Sequence, residues 1–491
     1  MKMKDLLKGI HYEVIQGTDE INVPNISWDS RSLKPNSLFI CVKNKNIDRH
    51  DYAHEAINVG ATALLIEHKI ENIPNSVNVI KVKNTKLAMA IIASRFYDEP
   101  SKKLNLIGIT GTNGKTTVTF FITKILECIG RKVGIISTIE NRIGNTPLIT
   151  AKLNPTTPDS IELQSSFAEM IENNVTDAVM EVTSIALEQH RTYMCDFDIG
   201  IFTNLTQDHL DDHGTMENYK NAKMKLFKMC RFGIINADDP VSQDIIQNST
   251  CEIITYGINT AADFMAKDIK YSQEGVSFTL NFCDNHKKVK LNVPGEFNVY
   301  NALSAIASCY FLGFPLHIII AALTNINGVK GRFEVVPNDN GYLVIVDYAH
   351  TPDSLKNILT TFGDVKEQVQ SNLIVVFGCG GERDRTKRPI MGEVAGNFAD
   401  YCVLTCDNPR KEDPIRIIEE IEEGIERTSC PYEKIEDRKV AIHTALKKAN
   451  PSDVVIIAGK GHENYQILKD KVIHFDDVEV VMEYFSLHSL Y

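Results

Sequence analysis

The spacing of apolar and polar positions predicts that the first part of the chain forms a small α/β unit. Residues 1–100 mix short apolar runs, at 37–42 and 61–66, with a helical patch at 87–97. The polar stretch 98–103 follows, and its proline and charged residues interrupt both strand and helix patterns. We therefore interpret 98–103 as a linker that ends the first domain.

From residue 104 onward, apolar strand-like runs alternate with longer helical periods. They follow one another at 104–110, 116–129, 133–137, 161–172 and 178–182. Such alternation is typical of βαβ units, in which helices cover a parallel sheet. The pattern predicts a second, larger α/β domain.

A third alternating section begins near Val335, and it predicts another α/β domain of Rossmann-like type. Its expected strands are 342–347, 373–377, 401–405 and 454–458. A length of 491 residues suits about three domains, at roughly 150 residues each. The predicted fold class is thus α/β with three domains, at 1–100, 101–333 and 334–491.

Composition narrows the functional classes. The net charge of −12 argues against broad binding to nucleic acid, because no domain-scale basic surface offsets phosphate repulsion. No stretch has the apolar core of a signal peptide or the length of a membrane span, so we expect a cytoplasmic protein without a membrane partner. The eleven cysteines lack C-x-x-C spacing, which favours reduced thiols over a zinc or redox site.

The segment 108–117, G-I-T-G-T-N-G-K-T-T, ends an apolar strand and begins a helix. Glycines let backbone N–H groups turn toward phosphates, Lys115 can reach the β and γ phosphates, and Thr116 can bind Mg²⁺. Ile109 stands where the general Walker pattern has glycine, and an ordinary glycine-rich turn is the alternative. We interpret this segment as a phosphate-binding loop, which makes the central domain a P-loop-type ATPase domain.

Two later strand ends carry possible magnesium ligands. Glu181 ends the apolar run 178–181, where a cation that bridges ATP oxygens needs an oxygen ligand. His209 follows the expected strand 199–204 within Q-D-H-L-D. A lone histidine is more often structural, but this one follows a strand end in the same domain as Lys115.

Lys223 is predicted to lie on the apolar face of a helix at 217–228. Tyr219 lies four residues before it, and Leu226 and Phe227 lie three and four residues after it, so all three share its helix face. The other faces carry Lys220, Lys225 and Lys228. A lysine that extends its amine to solvent from an apolar face is the alternative. A desolvated lysine with a lowered pKa is also the kind that can react with CO₂.

These strings, with 297–305, 328–333 and 347–352, resemble the Mur ligases and their folylpolyglutamate synthetase relatives along essentially the whole chain. The resemblance implies ATP and Mg²⁺ as cofactors. It gives catalytic roles to Lys115, His209 and Lys223, the last as a carbamate. The implied magnesium ligands are Thr116, Glu181, His209 and the Lys223 carbamate. The implied ATP-binding residues are Gly111, Thr112, Asn113, Gly114, Lys115, Thr116, Thr117, Asn301, Arg332 and Asp347.

The resemblance also implies that the first domain binds the uridine diphosphate of a UDP-muramyl-dipeptide. The matching positions for this substrate are Ser30, Thr156, Thr157, Thr183, Gln189 and Arg191. The chain departs from the family pattern at three positions. Asn44 and Arg49 stand where relatives usually have glycines, and Ile185 stands where they often have histidine.

The string 407–410, D-N-P-R, points to the amino acid that is added. Diaminopimelate differs from lysine by one carboxylate, and the Arg410 guanidinium is a natural bidentate partner for it. A surface arginine at a helix entry is the alternative. By resemblance the diaminopimelate-binding residues are Arg383, Asp407, Asn408, Pro409, Arg410, Gly459 and Glu463.

The function implied is that of an ATP-dependent, ADP-forming ligase in peptidoglycan precursor synthesis. It would join meso-diaminopimelate to UDP-N-acetylmuramoyl-L-alanyl-D-glutamate through an acyl phosphate, as a monomer. Three alternatives stay open: a lysine-adding or other Mur ligase, a folylpolyglutamate synthetase-like ligase, and a non-catalytic nucleotide-binding homologue. A motor-type NTPase is disfavoured because its switch patterns are not visible.

Overall fold

The computed structural model describes residues 1–44, 47–150, 154, 156–272, 275–326, 328–362 and 371–488. Three successive mixed or parallel sheets, each covered by helices, confirm the predicted three-domain α/β fold. All eleven cysteines are free. Within the described ranges, no helix combines the length and the apolar character that crossing a bilayer requires.

The first sheet is formed near the N-terminus and has the order β1-β5-β4-β3-β2, with β1 antiparallel to an otherwise parallel set. Its longest helix, Thr85–Phe96, begins at a polar cap, where the Asn84 side chain accepts a hydrogen bond from Leu87 N–H. The strands β1–β5 are Tyr12–Gln16, Asn25–Ser27, Ser37–Ile40, Ala61–Ile66 and Asn78–Val82. The helices α1–α3 are Met3–Leu6, Ala53–Val59 and Thr85–Phe96, with 3₁₀ turns at Ser30–Ser32, Arg49–Tyr52 and Pro100–Lys103.

The central sheet is larger than the sequence pattern predicts. A parallel core, β7-β10-β6-β11-β12-β13-β14, is extended by the antiparallel strands β8 and β9 on one side and β15 and β16 on the other. The strands β6–β16 are Asn105–Thr110, Val133–Ile136, Asn141–Ile143, Thr146–Pro147, Asp177–Glu181, Phe197–Phe202, Cys230–Asn236, Glu252–Gly257, Phe264–Ser272, Gly275–Phe282 and Asn285–Leu291. The helices α4–α11 are Lys115–Cys128, Ser160–Glu172, Ser184–Glu188, Leu210–His213, Met216–Met224, Ser242–Asn248, Glu296–Phe311 and Leu316–Thr324, with a 3₁₀ turn at Lys225–Lys228.

The third sheet has the order β17-β18-β22-β19-β20-β21, and only β17 is antiparallel. The inner parallel strands of this sheet are almost wholly buried, as expected where helices cover both faces, whereas the edge strand Tyr432–Ile435 is partly exposed. The strands β17–β24 are Glu334–Val335, Leu343–Asp347, Leu373–Phe377, Tyr401–Thr405, Tyr432–Ile435, Val454–Ala458, Tyr465–Ile467 and Val472–His474, the last two forming a separate hairpin. The helices α12–α16 are Pro352–Thr360, Lys387–Phe398, Pro414–Ile425, Arg438–Lys448 and Asp477–His488.

A buried ion pair joins α15 to α16 behind this sheet. The Arg438 guanidinium donates to both carboxylate oxygens of Asp477, at 2.7 and 2.8 Å, and to the Ala458 carbonyl at the end of β22. Both charged side chains are fully buried. The pair therefore fixes the strand end from which residues 459–463 continue.

We expect Asp477→Ala to destabilise the third domain by about 3–5 kcal/mol, because it leaves a buried guanidinium without a carboxylate. The measurement is the urea midpoint of the transition, compared with the double variant Arg438→Met/Asp477→Leu, which removes both charges. The double variant should lie closer to the parent protein. A single variant that unfolds at the parent midpoint contradicts the expectation.

Candidate active site

A large cavity lies where the carboxyl ends of the central parallel strands face the third domain. Its volume is about 1880 Å³, whereas a pocket for one small ligand commonly measures about 300–1000 Å³. Both domains line it, through residues such as Lys115, Glu181, Arg332 and Arg410. The cavity can therefore hold more than one substrate at the edge of the sheet where α/β proteins bind ligands.

The predicted phosphate loop connects β6 to α4, and its glycines are sterically required. Gly111 has φ of 151°, and a Cβ there would lie 1.8 Å from the Thr203 hydroxyl oxygen. Gly114 has φ of 86°, and a Cβ would lie 2.7 Å from Asn301 Oδ1. Asn301, predicted on the adenine side, thus lies directly beside the loop.

Lys115 lies at the start of α4 and folds over the loop. Its Nζ donates to the carbonyls of Gly111 and Thr112, at 2.9 and 2.8 Å. Burial lowers the pKa of Lys115, and the Glu181 carboxylate acts in the opposite direction. Because of these two hydrogen bonds, Lys115 Nζ lies close to the loop, where phosphate oxygens are expected to bind.

Glu181 ends β10 and is buried, with hydrogen-bond donors at both carboxylate oxygens. Thr116 Oγ1 donates to Oε1 at 2.9 Å, and Thr138 donates to Oε1 through its N–H and to Oε2 through its hydroxyl, each at 3.0 Å. The Arg332 guanidinium also donates to Thr116 Oγ1, at 3.2 Å. Two hydroxyls around a carboxylate supply the oxygen ligands that Mg²⁺ requires, so the donor set fits this ion.

His209 immediately precedes α7 and has the left-handed conformation, with φ of 54°, which is uncommon for a residue other than glycine. Its Nε2 lies 3.5 Å from Asp208 Oδ2. Burial lowers the pKa of His209 to about 4, against the opposing effect of Asp208. The imidazole is therefore neutral near pH 7, as a metal ligand must be.

The lowered pKa of His209 predicts a pH effect on stability. The unfolded chain binds a proton at this residue below its usual pKa of about 6.5, whereas the folded chain does so only below about 4. The stabilising contribution is therefore complete above pH 6.5 and is lost as the pH falls toward 4. In His209→Gln, the dependence of the free energy of unfolding on pH should be shallower in this window. An unchanged slope, measured by urea titration at several pH values, contradicts this assignment.

Lys223 lies on α8 with its amine inside the protein, and it is 2% exposed. Its Nζ donates to the Gly111 carbonyl at 2.8 Å and lies 4.4 Å from the centre of the Tyr219 ring. Burial lowers its pKa well below the ordinary value, and the Lys115 ammonium lowers it further. The predicted position on the apolar stripe is confirmed, and a buried amine with a lowered pKa is brought to the phosphate loop.

The residues predicted for the muramyl substrate divide between two places. Thr156, Thr157, Thr183 and Arg191 line the cavity, next to Glu181, whose carbonyl accepts a hydrogen bond from Thr157 Oγ1 at 2.9 Å. Gln189 lies behind Arg191 and accepts a hydrogen bond from its Nη2 at 2.8 Å. Ser30 is buried in the first domain, away from the cavity lining.

Arg383 and Arg410 bring two guanidinium groups to the third-domain wall of the cavity. Arg410 has φ of 53°, and its Nη1 donates to the Gly381 carbonyl at 2.8 Å. Burial lowers the pKa of Arg410, and Arg383 lowers it further. Among the described residues, neither guanidinium forms an ion pair with a carboxylate. The pair is therefore free to bind an anionic group in the cavity.

Glu463 faces the same region and is held by two neighbours. Its Oε2 accepts hydrogen bonds from Asn408 Nδ2 at 2.8 Å and from Lys460 Nζ at 3.0 Å. Gly459 has φ of 115°, and a Cβ there would lie 2.7 Å from Asp407 Oδ2, so only glycine fits beside this carboxylate. Pro409 is absent from the cavity lining, and its neighbours Asn408 and Arg410 are present.

Several site residues were missed by the sequence argument because their partners lie in another domain. Lys387 Nζ donates to Asp208 Oδ1 at 3.2 Å, and His350 Nε2 lies 3.7 Å from Asp208 Oδ2. Asn113 Nδ2 donates to Asp353 Oδ2 at 2.8 Å. Asp208 stands in the string that pointed to His209, so its carboxylate was the available signal. These contacts connect the third domain to the phosphate loop.

The fold and the site together define a three-domain, phosphate-loop enzyme whose last domain meets the loop. Three Mur ligase domain families match the chain: "Mur ligase family, catalytic domain" at residues 22–97, "Mur ligase middle domain" at 109–309 and "Mur ligase, glutamate ligase domain" at 331–461. The chain belongs to the Mur ligase family, and it is an ATP-dependent ligase.

Full-length relatives agree with this membership. UDP-N-acetylmuramoyl-L-alanyl-D-glutamate--2,6-diaminopimelate ligase 2 of Clostridium acetobutylicum is 46% identical over 98% of this chain and 99% of its own length. The ligase of that name (without a number) from Caldanaerobacter subterraneus is 49% identical over 98% of each chain. A solved structure of a UDP-N-acetylmuramoyl-L-alanyl-D-glutamate--2,6-diaminopimelate ligase has a TM-score of 0.70 and 32% identity, over 100% of this chain and 99% of that one.

Proposed function

We propose that this protein joins diaminopimelate to UDP-N-acetylmuramoyl-L-alanyl-D-glutamate, with ATP as the energy source, in peptidoglycan precursor synthesis. The observation that carries the choice of amino acid is the pair Arg383 and Arg410, which faces the cavity without a carboxylate partner among the described residues. A planar guanidinium suits the distal carboxylate of diaminopimelate. Glu463 suits its ammonium group.

The residues of the central domain are arranged for phosphoryl transfer to a carboxylate. Lys115 and the loop N–H groups hold the phosphates of ATP, while Thr157, Thr183 and Arg191 orient the D-glutamate end of the acceptor. Such catalysis depends mainly on positioning and electrostatic stabilisation. The acyl phosphate is then attacked by the amine of diaminopimelate, and phosphate leaves.

We propose that Thr116, Glu181, His209 and a carbamate on Lys223 hold magnesium. A carbamate would turn the buried amine into an anionic oxygen ligand, and the lowered pKa of Lys223 favours its reaction with CO₂. Magnesium bound at these residues supplies neutralising charge to the phosphate oxygens. His209, neutral near pH 7, offers its ring nitrogen.

We assign one role to each domain. Residues 1–100 bind the uridine diphosphate near Ser30, residues 101–333 bind ATP, and residues 334–491 bind the amino acid. The contacts of Asp208 with Lys387 and of Asn113 with Asp353 support a closed arrangement, which keeps water from the acyl phosphate. Arg332 and Asp347 lie at the passage between the last two domains, where Asp347 Oδ2 accepts a hydrogen bond from Phe333 N–H at 2.6 Å.

We also propose that the enzyme works in the cytoplasm, as a monomer and without a nucleic-acid partner. The negative net charge supports the last point. Sedimentation analysis tests the monomer, which a larger species at working concentration would contradict.

The deciding experiment measures phosphate release from ATP in the presence of UDP-N-acetylmuramoyl-L-alanyl-D-glutamate. Diaminopimelate, lysine and ornithine are supplied in separate reactions, and release is expected with diaminopimelate. Release with lysine alone would overturn the choice of amino acid. Release with none of them would favour a non-catalytic nucleotide-binding protein.

A further inference from the structure

The junction between the first domain and the start of α5 brings Arg49, Lys86 and Arg191 together with buried carboxylates. Arg191 Nε lies 3.2 Å from Oδ1 of Asp159, the residue that caps α5. Burial raises the pKa of Asp159, and Arg191, Lys86 and Arg49 all act against that rise. Glu67 is a further carboxylate nearby, and it accepts two hydrogen bonds from Thr85. The buried Asp29 carboxylate also faces Arg49, whose charge adds to that of Arg31 in lowering the pKa of Asp29.

Packing places this junction beside the segment predicted to hold uridine. Ile161, two residues after Asp159, packs in the same hydrophobic core as Trp28 and Met89 of the first domain. Lys86 lies in the first turn of α3, the helix that contributes Met89. The start of α5 is therefore docked against the first domain close to Trp28 and, two residues further, Ser30.

Arg49 is held at this place by aromatic rings. Its Cζ lies 5.1 Å from the centre of the Trp28 ring and 5.3 Å from that of Tyr52. Its Nε is buried, and within the described part of the chain it has no hydrogen-bond partner. A buried N–H without an acceptor is costly, whereas a guanidinium positioned by stacking is well prepared to bind an anion.

We propose that Arg49 binds the diphosphate of the UDP substrate. The inference rests on the proposed function, which places the uridine diphosphate near Ser30. A diphosphate offers the acceptor oxygens that the buried Arg49 Nε lacks within the described residues, and guanidinium groups bind phosphate through paired hydrogen bonds.

The test uses the intrinsic fluorescence of Trp28, the only tryptophan of the chain. UDP and uridine are titrated separately into the full-length protein, with saturating ADP and Mg²⁺ present so that the phosphate loop is filled. Arg49→Met keeps an unbranched side chain on the aromatic rings but removes the guanidinium. Arg95→Met is the matched control, because Arg95 is a first-domain arginine that donates to the Leu6 carbonyl instead.

We expect Arg49→Met to raise the Kd of UDP by about tenfold or more and to leave the Kd of uridine unchanged. The Arg95→Met control should bind UDP with the Kd of the parent protein. Arg49→Lys should recover part of the lost UDP affinity, because lysine keeps the positive charge but cannot donate two parallel hydrogen bonds. An unchanged Kd of UDP, or an equal loss for UDP and uridine, overturns the role of Arg49 alone. Failure of the parent protein to bind UDP at all instead overturns the uridine site of the proposed function.

Discussion

Arg410→Ala is expected to lower kcat/KM for diaminopimelate by about a thousandfold, since two charge-assisted hydrogen bonds to the distal carboxylate are lost. The guanidinium is already fixed by the Gly381 carbonyl and by the left-handed backbone at residue 410. Little entropy is therefore lost when a carboxylate binds. Burial lowers the pKa of Arg410 and the adjacent Arg383 guanidinium lowers it further, so an anion that binds beside both cations relieves their repulsion.

The measurement is steady-state phosphate release with diaminopimelate as the varied substrate. Arg410→Lys should lie between the parent and the alanine variant, since an ammonium cannot form the paired contact. Arg416→Ala is the matched control, because Arg416 is an exposed arginine on α14. Diaminopimelate used equally well by Arg410→Ala would show that the distal carboxylate is bound elsewhere.

Lys223→Ala is expected to lower kcat by about a thousandfold, because it removes the anionic group that the proposed carbamate places beside the phosphate loop. Partial recovery with added acetate or formate is expected, since a short carboxylate can occupy the space left by the side chain. This recovery separates the carbamate role from a structural one. A lysine needed only for packing would not respond to a carboxylate.

Lys220→Ala is the control for this experiment. Lys220 lies on the same helix, but its Nζ forms surface ion pairs with Glu217 and Asp244. It should retain parental activity, which shows that an alanine in α8 is tolerated. Full activity in Lys223→Ala, measured with limiting CO₂ and with excess CO₂, would exclude the carbamate.

Several strands could be predicted from the sequence because the apolar residues that define each strand are contiguous in the chain. The strands Leu373–Phe377, Tyr401–Thr405 and Val454–Ala458 were predicted with the bounds that the structure shows. Each is a continuous apolar run between polar turns, as expected for a strand buried on both faces. The antiparallel strands β15 and β16 were not predicted, because the βαβ pattern has no signal for a sheet that continues past its last helix.

The candidate site could be predicted less completely. Glu181 was placed at a strand end, but Thr138, whose two hydrogen bonds orient it, lies in a turn without a distinctive motif. Lys460 lies in the same sequence string as Glu463, but only the fold shows that its amine contacts that carboxylate. Arg49 departs from the family pattern in the sequence, but its ring contacts arise only in the folded first domain.

The sequence by itself determined the phosphate loop, the apolar stripe that carries Lys223 and the division into three α/β parts, since each depends on residues close together in the chain. The tertiary structure alone decided which distant charges meet. Asp208 and Lys387 are 179 residues apart, and Arg383 and Arg410 come from separate loops of the third domain. Loop closure and domain packing bring such groups together. A local sequence pattern does not show which residues from distant parts of the chain become neighbours.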